Sequence, residues 1–240
     1  MDRAKFFTSL RRRSSGVFGG SLSQAQVAGV EAILDAAAGL SLHHVANIMA
    51  QIYHETGGRF YPVRETFADS DAQAIARLDR AWARGQLTWV TTPYWRTGYF
   101  GRGFIQLTHK ANYDKFGLTD PSQAMDLRNA ARIAVNGMRD GMFTGKKLAD
   151  YAFPAALSNP ASSNPRRIVN GRDGTDAKVA GYHRAFEAAL TAGGYQSPRA
   201  PSQKPPTSPR APVTAPRPTP RPTGIMAAIV AFIRSLRGSP

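Results

Sequence analysis

One stretch decides the fold of this chain, and it reads Ser41-Leu42-His43-His44-Val45-Ala46-Asn47-Ile48-Met49-Ala50-Gln51-Ile52-Tyr53-His54-Glu55-Thr56-Gly57-Gly58. Its apolar residues recur at helical spacing, which predicts an amphipathic helix that Ser41 caps and the double glycine breaks. We expect one face of this helix to be buried: Leu42, Val45, Ala46, Met49, Ile52 and Tyr53. The opposite face is expected to be solvated: His43, His44, Asn47 and Gln51.

Glu55 lies at the end of this helix, on the border of the apolar face, three residues after Ile52. Loss of water and the negative end of the helix dipole should both raise the pKa of its carboxyl group, as a general acid at neutral pH requires. Glu65 follows Arg64, whose charge should keep it ionised. Such a pair of carboxyl groups is typical of glycoside hydrolysis. The alternative is that both are ordinary surface carboxylates.

Composition limits the other possibilities. The 240 residues contain no cysteine and carry a net charge of +15, which predicts an anionic partner. Position 58 is glycine, so His54-Glu55 lacks the second histidine of a zinc-protease motif. His43 and His44 are adjacent and should point to different sides of a helix. We therefore expect no metal and no other cofactor.

Further helical patterns surround the opening stretch and predict a mainly α-helical protein. A capping box of Ser23 and Gln26 precedes one helix, and Asp69 or Ser70 can cap another. Residues 59–69 should be irregular, and Phe104–Thr108 should be a short extended piece. The remaining predicted helices cover residues 4–12, 110–116, 128–139 and 176–192.

The C-terminal part of the chain has a different composition. A folded unit is predicted over residues 1–196, followed by a semi-rigid linker over 197–223 that contains ten prolines and five basic residues. Residues 224–240 follow a helical pattern with one apolar face and Arg234 and Arg237 on the other. This pattern predicts a cationic helix that lies on an anionic bacterial membrane without crossing it. The alternative is a solubilising extension without structure.

Three motifs resemble those of family 19 glycoside hydrolases, which comprise chitinases and related endolysins of bacteriophages. The glycine-loop signature of that family is similar to one stretch of this chain, Tyr99-Phe100-Gly101-Arg102-Gly103-Phe104-Ile105-Gln106-Leu107-Thr108-His109-Lys110-Ala111-Asn112-Tyr113. His54-Glu55-Thr56 precedes it in the correct order, and Arg167-Ile168-Val169-Asn170-Gly171 follows it. The short interval from Glu55 to Glu65 and the lack of cysteine resemble the phage and bacterial endolysin branch more than the plant chitinases.

The resemblance implies a lysozyme-like helical domain with a substrate cleft and an inverting mechanism. It implies Glu55 as the acid, Glu65 as the base and Thr108 as a residue that helps to hold the attacking water; Asp69 or Asp71 could replace Glu65. Hydrogen bonds to sugar groups are expected from Gln106, Asn112 and Asn170. Tyr99 and Tyr113 are expected either to stack on sugar faces or to lie in the core. Arg102 is expected either to contact the substrate or to brace the fold.

The sequence thus predicts an endolysin-like peptidoglycan hydrolase that cleaves β-1,4 bonds between N-acetylmuramic acid and N-acetylglucosamine. The alternatives are a chitinase and a membrane-active or wall-binding protein that has lost catalysis. We expect a monomer whose partners are glycan strands and the anionic membrane, and not nucleic acid. No signal peptide is visible. The protein is therefore expected in the host cytoplasm until a holin-type pore releases it to the cell wall.

Overall fold

The computed structural model describes residues 1–197, and these fold into seven α-helices and a sheet of two very short strands. The helices are α1 (Arg3–Leu10), α2 (Gln24–Ala36), α3 (Leu42–Glu55), α4 (Asp71–Ala83), α5 (Lys110–Lys115), α6 (Leu127–Asp140) and α7 (Asp176–Ala192). The strands are β1 (Val63–Arg64) and β2 (Arg102–Gly103), which pair antiparallel. The prediction of a mainly helical fold is confirmed. No helix within residues 1–197 is long and apolar enough to cross a membrane.

The helix starts follow the local chemistry of the sequence. Ser23 accepts a hydrogen bond from the backbone of Gln26, whose side chain returns one, so the predicted capping box forms. Ser41 caps α3 and Ser70 caps α4 in the same way, through their side-chain oxygens. Each cap satisfies a backbone N–H group that would otherwise lack a partner at the helix start.

Helix α3 lies at the centre of the largest core, where it packs against α7, while α2 packs against α6. The prediction of a solvated face on α3 is wrong for two residues. Asn47 and Gln51 are 1% and 0% exposed, and His43 and His44 are half-buried. The reason is tertiary, because neighbours cover this side of the helix as well. Gln51, for example, donates a hydrogen bond to the backbone carbonyl of Pro165.

The chain between Gly101 and Thr108 doubles back on itself. Arg102 and Leu107 exchange backbone hydrogen bonds of 3.2 and 2.9 Å, which closes a tight turn. Gly103 and Gln106 adopt positive φ angles of 83° and 53°, which reverse the chain direction. The extended piece predicted over Phe104–Thr108 is therefore wrong, and the extended residues are those of β2. Strand β1 likewise falls inside the stretch that was expected to be irregular.

Two smaller cores accompany the main one. The first joins α4 to the segment between Leu87 and Phe100, with Trp95 completely buried. The second surrounds Tyr113 and Leu107. At the end of the described chain, Ser197 accepts a hydrogen bond from the backbone of Leu42. The predicted linker, apart from Ser197, and the predicted C-terminal helix over 224–240 lie outside the described residues.

Candidate active site

Glu55 is completely buried, as the sequence predicts, but it is not alone. It is the last residue of α3, and its Oε1 lies 2.6 Å from Nη2 of Arg166. Both side chains have no exposed surface. The guanidinium favours the ionised form of Glu55 and opposes the effect of burial. A burial argument from the sequence therefore covers only part of the electrostatics of this carboxyl group.

Arg166 is shared between two carboxylates. Its Nη2 also lies 2.7 Å from Oδ2 of Asp173, and its Nη1 donates a 2.7 Å hydrogen bond to the side-chain oxygen of Gln51. Burial raises the pKa of Asp173, but the charge and hydrogen bonds of Arg166 outweigh it and lower this pKa to about 2. Two carboxylates thus flank one buried cation, and Asp173 takes up much of its charge.

Sequence reasoning missed this network. Gln51 was placed on a solvated face, and neither Arg166 nor Asp173 was a candidate. One signal was available, because Gln51 and Glu55 are four residues apart and so share a face of α3. Two polar side chains at this spacing on a largely apolar helix indicate a buried polar partner.

Glu65 is held by donors on both of its oxygens. It follows β1 and is 0% exposed. The Tyr94 hydroxyl donates to Oε1 at 2.5 Å, and the Gly101 N–H donates to Oε2 at 2.8 Å. Burial raises the pKa of Glu65 and outweighs the lowering by these two hydrogen bonds and by the charge of Arg102.

The reason given for an ionised Glu65 is therefore wrong. Arg64 points away from Glu65, and its Nε donates a 2.6 Å hydrogen bond to Oδ1 of Asp71. Asp71 is itself held between two cations, because Arg102 donates to its Oδ2 at 2.7 Å. Asp69 is exposed. Of the three carboxylates considered for the base, only Glu65 is buried under donors that can orient it.

The turns that carry the two glutamates pack against each other. A Cβ atom on Gly57 would come within 3.1 Å of Cζ of Phe67, so the Phe67 ring covers the glycine two residues after Glu55. Next to Glu65, Thr66 and Phe67 adopt positive φ angles of 60° and 51°. Non-glycine residues rarely adopt this conformation, and it is concentrated at functional sites.

Gln106 and Thr108 lie next to the Glu65 environment. The Gln106 amide donates to the backbone carbonyl of Val63 at 2.9 Å, and the Thr108 hydroxyl donates to that of Gln106 at 2.8 Å. Oε1 of Gln106 is buried without a hydrogen-bond donor among the described residues, and a Cβ on Gly101 would lie 2.8 Å from it. A buried acceptor of this kind is unusual and is suited to a water or a sugar hydroxyl.

The other predicted substrate residues mainly brace the loop. Arg102 is 2% exposed, and its Cζ atom lies 3.6 Å from the centre of the Phe100 ring. Its Nη1 donates to the Tyr113 hydroxyl, so the structure agrees with the bracing role rather than with substrate contact. Tyr113 has no exposed surface and is a core residue. Tyr99 is half-buried, and its ring packs edge-on against that of Tyr113, with the ring centres 5.3 Å apart. The side chain of Asn112 donates a hydrogen bond to the backbone carbonyl of Thr108.

Asn170 lies beside the network of Arg166 and Asp173 that surrounds Glu55. It is 5% exposed, accepts a 2.8 Å hydrogen bond from the N–H of Gly171 and lies 3.4 Å from Asp173 through its amide nitrogen. The predicted residues thus fall into two groups. Asn170 supports the Arg166 network around Glu55, whereas Gln106, Thr108 and Arg102 surround the Glu65 loop.

Comparisons with protein-family models, with curated proteins and with solved structures gave no significant match for this chain.

Proposed function

We propose that this chain is an inverting glycoside hydrolase that cleaves peptidoglycan in the manner of an endolysin, with a lysozyme-like arrangement of helices around a substrate cleft. One observation carries the proposal. Two fully buried glutamates, Glu55 and Glu65, sit in turns that contact each other, and each is oriented by its own set of polar partners. Buried carboxyl groups are costly and rarely retained without a purpose.

In the proposed reaction, Glu55 is the acid and Glu65 is the base. Glu55 donates a proton to the glycosidic oxygen as the bond from that oxygen to the anomeric carbon breaks. Glu65 takes a proton from a water molecule that attacks the same carbon from the opposite face. The water oxygen becomes the new anomeric hydroxyl, and the configuration at that carbon inverts.

The surroundings of Glu55 suit a group that must gain and lose a proton. Arg166 alone would favour the ionised form, but Asp173 shares the same cation at 2.7 Å. With part of the charge of Arg166 neutralised in this way, protonation of Glu55 costs less than it would beside an unshared guanidinium. Arg166 would then stabilise the carboxylate that forms once the proton has been transferred.

The surroundings of Glu65 suit a base. Burial raises its pKa, and a carboxylate with a raised pKa is a stronger base as long as it is ionised at the working pH. Tyr94 and Gly101 fix both oxygens by donating hydrogen bonds to them. Thr108 and the unpaired oxygen of Gln106 would help to hold the water.

The proposed substrate follows from charge. The chain carries a net charge of +15, and the glycan of a bacterial wall is anionic. Neutral chitin lacks that attraction, so we propose the bond between N-acetylmuramic acid and N-acetylglucosamine as the target. Asn112, Asn170 and Tyr99 remain the proposed contacts to sugars, and residues 224–240 the proposed contact to the membrane.

The variant Glu55→Gln tests whether the chain hydrolyses glycan at all. It keeps the shape of the side chain and removes the acid, so release of reducing ends from purified peptidoglycan should fall by about a thousandfold or more. Glu31→Gln is the matched control, since Glu31 is a partly exposed carboxylate of α2. Unchanged lysis by Glu55→Gln would sink the proposal in favour of a non-catalytic, membrane-active protein.

Product analysis separates the remaining alternatives. Nuclear magnetic resonance of freshly released sugar ends should show the inverted α-anomer before it equilibrates, and retention would contradict the mechanism. Cleavage of chitin oligomers but not of peptidoglycan would identify a chitinase instead.

A further inference from the structure

A second cluster of polar side chains lies at the far end of α3, away from Glu55. His43 from the first turn of α3 meets His183 and Glu187 from α7. Nδ1 of His43 is 3.6 Å from one oxygen of Glu187, and Nε2 of His183 is 3.5 Å from the other. One ligand atom from each of the three residues lies within 4.8 Å of the other two.

The second observation concerns His183. This side chain is 0% exposed, and neither of its ring nitrogens has a hydrogen-bond partner among the described residues. Nδ1 of His43 is likewise buried without a hydrogen bond. Buried imidazole nitrogens are normally satisfied, because an unsatisfied one costs on the order of 1–3 kcal/mol. Three such nitrogens, two of which lie within 3.6 Å of an oxygen of Glu187, therefore indicate a missing partner.

We propose that His43, His183 and Glu187 bind a divalent transition metal ion, with Zn²⁺ as the best match, and that water completes its coordination. Two imidazoles and one carboxylate form a typical zinc ligand set. Tetrahedral bonds of about 2.0–2.1 Å place neighbouring ligand atoms roughly 3.4 Å apart. His43 and His183 lie 3.6 and 3.5 Å from the two different oxygens of Glu187, and the three ligand atoms lie within 4.8 Å of one another, so binding would draw them closer together.

The surroundings of His183 are also suitable. Its complete burial favours the neutral imidazole, which offers the lone pair that a metal ligand needs. The side chains of His43 and Glu187 are 33% and 28% exposed, which gives an ion a path from solvent.

The position of the site indicates a stabilising rather than a catalytic role. His43 and Glu55 are twelve residues apart on α3, which corresponds to about 18 Å along the helix. The ion would join α3 to α7 at the end remote from the two glutamates. This inference is independent of the proposed glycosidase activity.

The pattern was not visible in the sequence. Adjacent His43 and His44 argued against a metal, and no cofactor was predicted. The partners of His43 come from a helix about 140 residues later, where His183 and Glu187 share a face at a spacing of four.

Zinc titration of the full chain tests the proposal. The protein is stripped with a chelator, and ZnCl₂ is added near pH 7 while binding is followed by calorimetry. We expect one Zn²⁺ per chain at micromolar affinity or tighter, and a Tm higher by about 5–10 °C at roughly 100 times Kd. Beyond Glu187 the sequence contains no His, Cys, Asp or Glu, so the C-terminal part adds no competing side-chain imidazole, thiolate or carboxylate.

Two variants locate the binding. Glu187→Gln and His43→Gln should each weaken Zn²⁺ binding by more than about 100-fold, beyond the effect of losing an outer-shell partner. His44→Gln is the matched control on the same turn, and it should bind like the original chain. Cobalt(II) at the site should give visible absorption bands that both ligand variants lose.

Three results would overturn the proposal. They are no binding of Zn²⁺ at millimolar concentration, binding unchanged in the two ligand variants, and equal loss in His44→Gln. If one ligand variant does not fold, the other decides the question alone.

Discussion

At the scale of single residues, the molecule is distinguished by charges that it buries completely. Glu55, Glu65 and Arg166 have essentially no exposed surface. Each is tolerable only because neighbours donate to it or share its charge. The ionisation of the buried carboxyl groups should therefore be visible as a dependence of stability on pH.

The variant Glu65→Gln should change that dependence. Burial raises the pKa of Glu65 above its usual 4.5, so the folded state holds this proton more tightly than the unfolded chain does. The stability that it contributes is present below pH 4.5 and is lost as the pH rises through the folded-state pKa. Relative to the original chain, Glu65→Gln should therefore gain stability as the pH rises above 4.5, measured by urea unfolding. An opposite slope would contradict the raised pKa.

Asp173→Asn should destabilise the chain by about 3 kcal/mol at pH 7, because it leaves Arg166 with one buried counter-charge instead of two. The pKa of Asp173 is lowered to about 2, so its contribution is present above pH 3.8 and is lost as the pH falls toward 2. The difference should accordingly shrink in urea unfolding at pH 3. Asp114→Asn, an exposed control on α5, should stay within about 0.5 kcal/mol.

At the scale of secondary-structure elements, α2 closely approaches the chain segment that follows α3. Gly29 of α2 faces the backbone of Phe60, where a Cβ atom would lie only 1.8 Å from the carbonyl oxygen. No side chain fits there without moving the helix. On α7, by contrast, a Cβ atom on Gly181 would have nothing within 4 Å.

These two helical glycines give a matched pair of alanine substitutions. Gly29→Ala should destabilise the fold by about 3 kcal/mol or more, because the new methyl group must push α2 away from Phe60. Gly181→Ala should stabilise it by about 0.5–1 kcal/mol, because alanine loses less conformational freedom in a helix. Thermal unfolding monitored by circular dichroism measures both. Similar effects of the two substitutions would contradict the packing of α2.

At the scale of the whole molecule, both the part of the chain up to Glu187 and the part after it carry a net positive charge. Seven of the 31 basic residues and none of the 16 acidic residues follow Glu187, so the part before it carries 24 basic against 16 acidic residues, or +8. Both parts should therefore be attracted to anionic surfaces. Only residues 224–240 have the pattern of a membrane-surface helix.

Deletion of residues 224–240 should separate the two attractions. We expect unchanged hydrolysis of purified cell wall and several-fold weaker killing of intact bacteria that have an outer membrane. The wall assay serves as the control, because it requires no membrane contact. Equal action of the shortened and full chains on intact cells would refute a membrane role for this segment.

The sequence alone determined the helices and the residues that begin them. Ser23, Ser41 and Ser70 cap the predicted helices, and α7 has the predicted bounds, because periodicity and capping are local properties. Burial of Glu55 also followed from its place at the end of an apolar helix.

Tertiary structure alone decided which groups meet. Arg166 and Asp173 reach Glu55, Tyr94 reaches Glu65, and His183 reaches His43 from segments far away in sequence. The sequence paired Arg64 with Glu65 because they are neighbours, whereas the fold directs Arg64 to Asp71. Side-chain direction depends on the path of the backbone, here reversed at Thr66 and Gln106 by positive φ angles that no local pattern predicts. The residue types of the candidate site were therefore enough to predict its chemistry. Only the folded chain showed which side chains contact each other there.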